Sequence, residues 1–177
     1  MIRTVVFDWG NTVMRDYGTS GPMADWPEVS AIDGIEGALE ALSARHEIAM
    51  ATNTADSDEA LVRRALARVG LDRYFEQLFV SSVIGADKPS PAFYQAVLNG
   101  LDSPPEQIVM VGDNYENDVR GATAAGLWSI WYNPAGEPAP PGPAEYYTQI
   151  GAMNSLPFVV HRLEMWVERL GRHQRTP

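Results

Sequence analysis

The 177-residue chain contains no cysteine and only one lysine, Lys88, against twelve arginines. The missing thiols exclude disulfide bonds, thiolate metal sites and cysteine nucleophiles, and nothing points to an oxidising compartment. No apolar run approaches the roughly 20 residues of a membrane span. The start, Met1 to Asp8, is too short and too soon charged for a signal peptide. The expected location is therefore cytoplasmic, with no membrane partner. Positive charge is scarce as well: the formal net charge is −10. Nucleic-acid backbones require a basic face, so nucleic acid is not expected as a partner.

Apolar residues make up 45% of the chain, which describes a globular protein, and the length suits one domain. Short β-rich runs alternate with helical patterns: strands at Thr4 to Phe7, Glu47 to Ala51, Gln77 to Ser82, Gln107 to Val111 and Leu127 to Tyr132. Between them, Ile35, Leu39 and Leu42 share one helical face, and Leu61, Val62, Leu66 and Val69 form another stripe. Asp56-Ser57 is expected to open that second helix and Gly70 to stop it. Ser90-Pro91 opens a third, with Gly100 past its end, and a fourth runs from about Tyr115 to Gly126. This alternation predicts an α/β fold, a doubly wound, Rossmann-like parallel sheet covered on both faces. The stretch Asn133 to Pro143 holds five prolines and reads as an irregular surface loop. Tyr146 to Ile150 reads as an edge strand and Leu156 to Leu170 as a closing helix. One domain is expected over 1–170, with a frayed tail at 171–177.

Ligands of open parallel sheets bind at the carboxyl ends of the strands. Those ends carry Asp8, then Thr52-Asn53, then Lys88 a few residues after the third strand, then Asp113 with Asp118 five residues on. Each has a structural explanation as a cap or turn residue; together they bring carboxylates, a hydroxyl and one ammonium to a single rim.

In these motifs the chain resembles the haloacid dehalogenase-like hydrolase superfamily. The first is Phe7-Asp8-Trp9-Gly10-Asn11-Thr12 and the second Ala51-Thr52-Asn53. The third is Lys88-Pro89-Ser90-Pro91, and the fourth Val111-Gly112-Asp113-Asn114-Tyr115-Glu116-Asn117-Asp118. The resemblance implies hydrolysis of a phosphate monoester, carried by a small molecule or a macromolecule, with Asp8 forming an aspartyl-phosphate. It implies Mg²⁺ held by Asp8, Asp113 and the backbone carbonyl of Gly10. It also implies Thr52, Asn53 and Lys88 on the phosphoryl group, and supporting roles for Asp118, Thr12 and Asn114 around the metal and Lys88.

One position departs from the pattern. Most phosphatases of this superfamily carry a second aspartate two residues after the nucleophile, as general acid and base; here that position is Gly10. Three readings follow: a phosphatase that manages without that group, a weakly catalytic or inactive phosphate-binding module, and a haloacid dehalogenase-type hydrolase. Asp16, Asp25, Asp56 and Asp58 are candidate substitutes for the missing acid, each also readable as a solvated charge or cap. A phosphonate-cleaving activity through a cap lysine is excluded, because there is no second lysine. About twenty residues separate Thr12 from the helix near Ile32, too few for a helical cap domain. Segment 14–26 is expected either to fold over the rim, with Tyr17, Met23 and Trp26 beneath it, or to be anchored to the body by them. Trp128 and Trp131 read as sheet packing. The apolar face Leu163, Trp166, Val167 and Leu170 reads as core, and leaves room for a homo-oligomer through the last helix.

Overall fold

Alternation of side chains along each strand divides the apolar residues between two faces. Val5 and Phe7 go to one core and Val6 to the other; Ile48 and Met50 oppose Ala49 and Ala51; Val109 and Val111 oppose Ile108 and Met110. The computed structural model, which describes residues 1–142 and 146–173, assembles these strands into one six-stranded parallel sheet in the order β3-β2-β1-β4-β5-β6. The strands are β1 (Thr4–Phe7), β2 (Glu47–Thr52), β3 (Gln77–Val80), β4 (Ile108–Gly112), β5 (Trp128–Tyr132) and β6 (Tyr147–Ile150). One face is covered by α1 (Ile35–Ser43), α2 (Glu59–Arg68) and α6 (Leu156–His173), the other chiefly by α4 (Pro91–Leu101) with the short α5 (Gly121–Ala124). The chain winds outward from β1 to β3 on one side and from β4 to β6 on the other. The crevice between the carboxyl ends of β1 and β4 is therefore the topological switch point.

The expected element order holds, with corrections at several ends. The third strand stops at Val80, and Ser81–Ile84 form a short helix, α3. Its first hydroxyls turn back to the rim: Ser81 Oγ accepts from Thr54 N at 3.0 Å, and Ser82 Oγ donates to Ser57 O at 2.6 Å. The cap of α2 is Asp58, which accepts from Leu61 N at 2.9 Å, rather than Asp56-Ser57. Ser90 caps α4 as expected, accepting from Phe93 N at 3.3 Å. Gly100 lies inside that helix instead of beyond it, because any Cβ there would fall 2.4 Å from the Phe79 ring. The stop is Asp102, in the left-handed region at φ 46°. The closing helix continues to His173, so the expected frayed tail is helical at 171–173; residues 174–177 lie outside the described residues. Trp166 on that helix is half-exposed rather than core, and meets Trp128 edge-on with ring centroids 5.1 Å apart.

No separate cap domain is evident among the described residues. Segment 14–26 is anchored to the body. Met23 and Trp26 are buried, while Tyr17 is half-exposed with its hydroxyl 2.8 Å from Ser30 Oγ. One guanidinium at the end of α2 holds the segment down: Arg68 donates to the carbonyls of Ala24 at 3.1 Å and Trp26 at 2.6 Å. Asp25 adds an ion pair to Arg64. Arg68→Ala should therefore lower stability by about 1–2 kcal/mol in denaturant titration and speed amide exchange selectively over residues 22–27.

Candidate active site

Four chain segments meet at the switch point, and each positions a charge. Asp8 follows β1 directly, and its amide donates to Val111 O at 2.8 Å, tying it to β4. Asp113 follows β4; its amide donates to Thr12 Oγ1 at 3.1 Å. Its carbonyl accepts from Trp131 Nε1 at 2.9 Å. Asp118 is fully buried in a π-helical segment, Tyr115–Arg120, capped by Asn114 Oδ1, which accepts from Asn117 N at 3.0 Å. Lys88 reaches in from the loop before α4. Its Nζ lies 2.7 Å from each of Asp8 Oδ1, Asp118 Oδ1 and Ala51 O, three acceptors for its three protons.

The structure thus brings Asp8, Asp113, Asp118 and Lys88 together as the motifs predict. Ligand oxygens of the three carboxylates all lie within 4.8 Å of one another. Thr12 sits between two of them, with Oγ1 at 3.2 Å from Asp8 Oδ2 and 3.3 Å from Asp113 Oδ1. The Asn53 side-chain amide clamps the Lys88 main chain, donating to Lys88 O at 2.9 Å and accepting from Lys88 N at 2.8 Å, so it orients the lysine loop. Thr52 is buried with its hydroxyl 3.5 Å from Asn53 O, a contact too long to hold it. Asn114 donates its amide to Asp118 Oδ2 at 3.0 Å and otherwise serves as a helix cap. Gly10 pairs with Met14 through hydrogen bonds that use Trp9 O and Asn11 N, and so neither polar group of Gly10 itself. Asp25, Asp56 and Asp58 are committed elsewhere, to Arg64, to Thr54 with Ser57, and to the α2 cap.

Trp131 packs within the sheet as the sequence suggests, buried against Tyr115 and Val119, and its indole proton in addition fixes the backbone of Asp113. The signal lay in the ladder: Trp131 stands opposite Gly112, one residue before that aspartate. Ser129 acts similarly on Asp118, donating to its carbonyl at 2.9 Å. Both require knowing which strand neighbours β4.

Three carboxylates facing one ammonium leave the cluster with surplus negative charge. Burial, joined by the Asp8 charge, pushes the Asp113 carboxyl up to about 6. Burial pushes Asp118 up to about 7, with Lys88 pulling against the rise and Asp8 adding to it. For Lys88 burial acts to lower the value, but Asp118 and Asp8 together outweigh it and hold the ammonium above its ordinary range. A folded-state value above the unfolded one means the folded protein binds more protons between the two. In chelator-treated protein, stability should consequently fall as pH rises from about 4 to about 6, and Asp113→Asn should flatten that slope in thermal melts.

Packing within the cluster is equally specific. A Cβ at Gly112 would lie 2.1 Å from Asp118 Oδ2 and 2.2 Å from its Cγ, so the carboxylate occupies the space a side chain would need. Gly112→Ala should displace Asp118 from Lys88 and cost about 3–5 kcal/mol, the scale for breaking a buried ion pair. A Cβ at Gly10 meets nothing nearer than 3.8 Å. Gly10→Ala should stay within about 0.5 kcal/mol in the same denaturation experiment.

The comparisons with known proteins agree with this geometry. The haloacid dehalogenase-like hydrolase family model matches residues 21–126, more than half of the chain. A phosphoserine phosphatase of Thermus thermophilus is 36% identical over 81 residues, 46% of this chain and 32% of that protein. A pyrimidine 5'-nucleotidase of Escherichia coli is 31% identical over 118 residues, 66% of this chain and 51% of its own length. The chain thus spans about a third to a half of the length of these curated relatives. Among solved structures, an uncharacterized protein from Listeria monocytogenes serotype 4b superposes with a TM-score of 0.83 at 26% identity, covering 93% of this chain and 99% of that one. With the family model and the motifs in one crevice, the chain belongs to the haloacid dehalogenase-like hydrolases.

Proposed function

We propose that the chain is a Mg²⁺-dependent phosphate-monoester hydrolase working through an aspartyl-phosphate on Asp8, with a site left open by the lack of a separate cap. The observation that carries this reading is the charge imbalance around Lys88. Its Nζ is satisfied by Asp8, Asp118 and Ala51 O, yet a third carboxylate, Asp113, stands within reach of the other two. Anionic hard oxygens in surplus suit a divalent cation with oxygen preference. The residues that would hold it are Asp8, Asp113 and the Gly10 carbonyl. The bound cation would neutralise that surplus and the charge of an incoming phosphoryl group. The phosphatase and nucleotidase names of the relatives point to the same reaction class.

The remaining chemistry falls to the chain's own groups. Asp8 Oδ1 is held by Lys88 and Oδ2 touches Thr12, so the carboxylate is fixed in orientation before substrate arrives. Fixed orientation replaces entropy loss in the transition state. The Lys88 charge, 99% buried, acts on the transferring group with little screening by water. The Thr52 hydroxyl and Asn53 backbone N–H stand ready for phosphoryl oxygens. Asp118 keeps Lys88 in place. Slow turnover as a phosphate-binding module is the second reading, and Gly10 is what favours it.

The test is hydrolysis of an aryl phosphate with Mg²⁺ and with excess chelator. Metal-dependent turnover that Asp8→Asn abolishes supports the reading; turnover that persists in chelator or in Asp8→Asn refutes it. Independently of activity, Mg²⁺ should raise the melting temperature, and Asp113→Asn should remove most of that rise.

A further inference from the structure

Transfer of a phosphoryl group to Asp8 leaves an oxygen that needs a proton, and hydrolysis of the aspartyl-phosphate needs a water that loses one. The carboxylates of the cluster are committed. Asp118 uses both oxygens, on Lys88 Nζ and Asn114 N. Asp8 is the nucleophile in the reading above, and Asp113 faces Thr12 in the buried metal-binding corner.

A carboxylate beside Gly10 has one oxygen uncommitted. The point where residue 10 would place a side chain is open, and the atoms that approach it belong to Asp16: Cβ at 3.8 Å and Oδ2 at 4.0 Å. Among the described residues, no other atom beyond Gly10's own chain neighbours lies within 4 Å of that point. Asp16 is held there by its surroundings. Its amide donates to Asn11 Oδ1 at 3.1 Å, and its Oδ1 accepts from Gly18 N at 2.8 Å. Just before it, Met14 bridges Ala31 and Arg15 N donates to Ser30 O at 3.0 Å, and just after it the Tyr17 hydroxyl lies 2.8 Å from Ser30 Oγ, so the limb carrying Asp16 is paired rather than loose. Its Oδ2 has no hydrogen-bond or ion-pair partner among the described residues, whereas every arginine nearby in sequence is paired elsewhere: Arg3 with Glu47 and Arg15 with Asp33.

We infer that Asp16 fills the space left by Gly10 and serves as the proton donor and acceptor of the reaction; this inference rests on the phosphatase reading above. In the first step an Asp8 oxygen bonds to phosphorus, the bond from phosphorus to the ester oxygen breaks, and the protonated Asp16 carboxyl gives its proton to that oxygen, releasing an alcohol. In the second a water oxygen bonds to phosphorus, its proton passes to the Asp16 carboxylate, and the bond to Asp8 breaks. Inorganic phosphate leaves, and both aspartates return to their starting states. The carboxylate thus arrives from the limb that follows the turn at residues 11–13, across a glycine that leaves it room.

Asp16→Asn is a clean probe, because the amide oxygen can still accept from Gly18 N and keep the local turn. Turnover of an alkyl ester, glycerol phosphate, should fall about 10²–10⁴-fold. With p-nitrophenyl phosphate, whose leaving group departs without a proton, the first turnover should stay near the unmodified rate. A burst of one nitrophenolate per protein should precede a slow phase, with phosphate trapped covalently on Asp8 in acid-quenched samples. Adding Gly10→Asp to Asp16→Asn should restore the alkyl-ester rate. Unchanged glycerol phosphate turnover in Asp16→Asn, or equal losses on both esters without a burst, overturns the role of Asp16 while Asp8-dependent, Mg²⁺-dependent turnover still stands. Absence of any such turnover in the unmodified protein overturns the phosphatase reading and this inference together.

Discussion

The ammonium of Lys88, closed off from solvent between Asp8 and Asp118, is the interaction on which the site depends. Each ion of such a buried pair loses hydration worth several kcal/mol, recovered only if the geometry is close and every polar valence is used. Both conditions are met. The three acceptors of Nζ come from the end of β1, from β2 through Ala51 O, and from the helical turn after β4. Lys88 thereby ties the three central strands at their carboxyl ends. Asn53 fixes the lysine's main chain from β2, and Gly112 leaves the room that Asp118 needs. An arginine in this position would bring a broader planar head than three convergent oxygens accept.

That geometry explains a division of labour among the carboxylates. Asp118, with a donor on each oxygen, is engaged in holding Lys88 and the Asn114 amide. Asp8 and Asp113 share Thr12 Oγ1, whose single proton can be given to only one of them at a time. Either Asp8 Oδ2 or Asp113 Oδ1 is therefore without that proton, while Asp8 keeps Lys88 on its other oxygen, and burial has already raised Asp113. The same surplus of anionic oxygens is chemistry that suits a divalent cation.

The sheet was legible in the sequence because parallel strands covered on both faces are continuously apolar, as in Thr4 to Phe7 and Ile108 to Gly112, and because helix caps such as Ser90 use local chemistry. Ends governed by tertiary contacts were not. Gly100 looks like a stop, yet it is a site of close approach to Phe79. Asp56 and Asp58 compete equally as caps until the chain's path is known. The charged rim was legible because strand ends converge by topology. The roles of Asn53 and Trp131 were not, because each depends on a partner distant in sequence: Lys88, 35 residues from Asn53, and Asp113, 18 residues from Trp131.

What surrounds the rim limits what could bind there. Beside Lys88 lies an open cavity of about 780 Å³ walled by Asn53, Thr54, Ala55, Ser81, Ser82 and the loop from Gly85 to Asp87. This wall is polar and small, with no large apolar or aromatic side chain to stack a base or grip a hydrocarbon tail. Its serine hydroxyls are already bonded within the chain, Ser81 to Thr54 and Ser82 to Ser57, so the wall is stiff rather than adaptable. On the proposed reading, binding energy would come mainly from the phosphoryl group, held by charge at the strand ends, and recognition of the leaving group would depend on the polar contacts this wall can add.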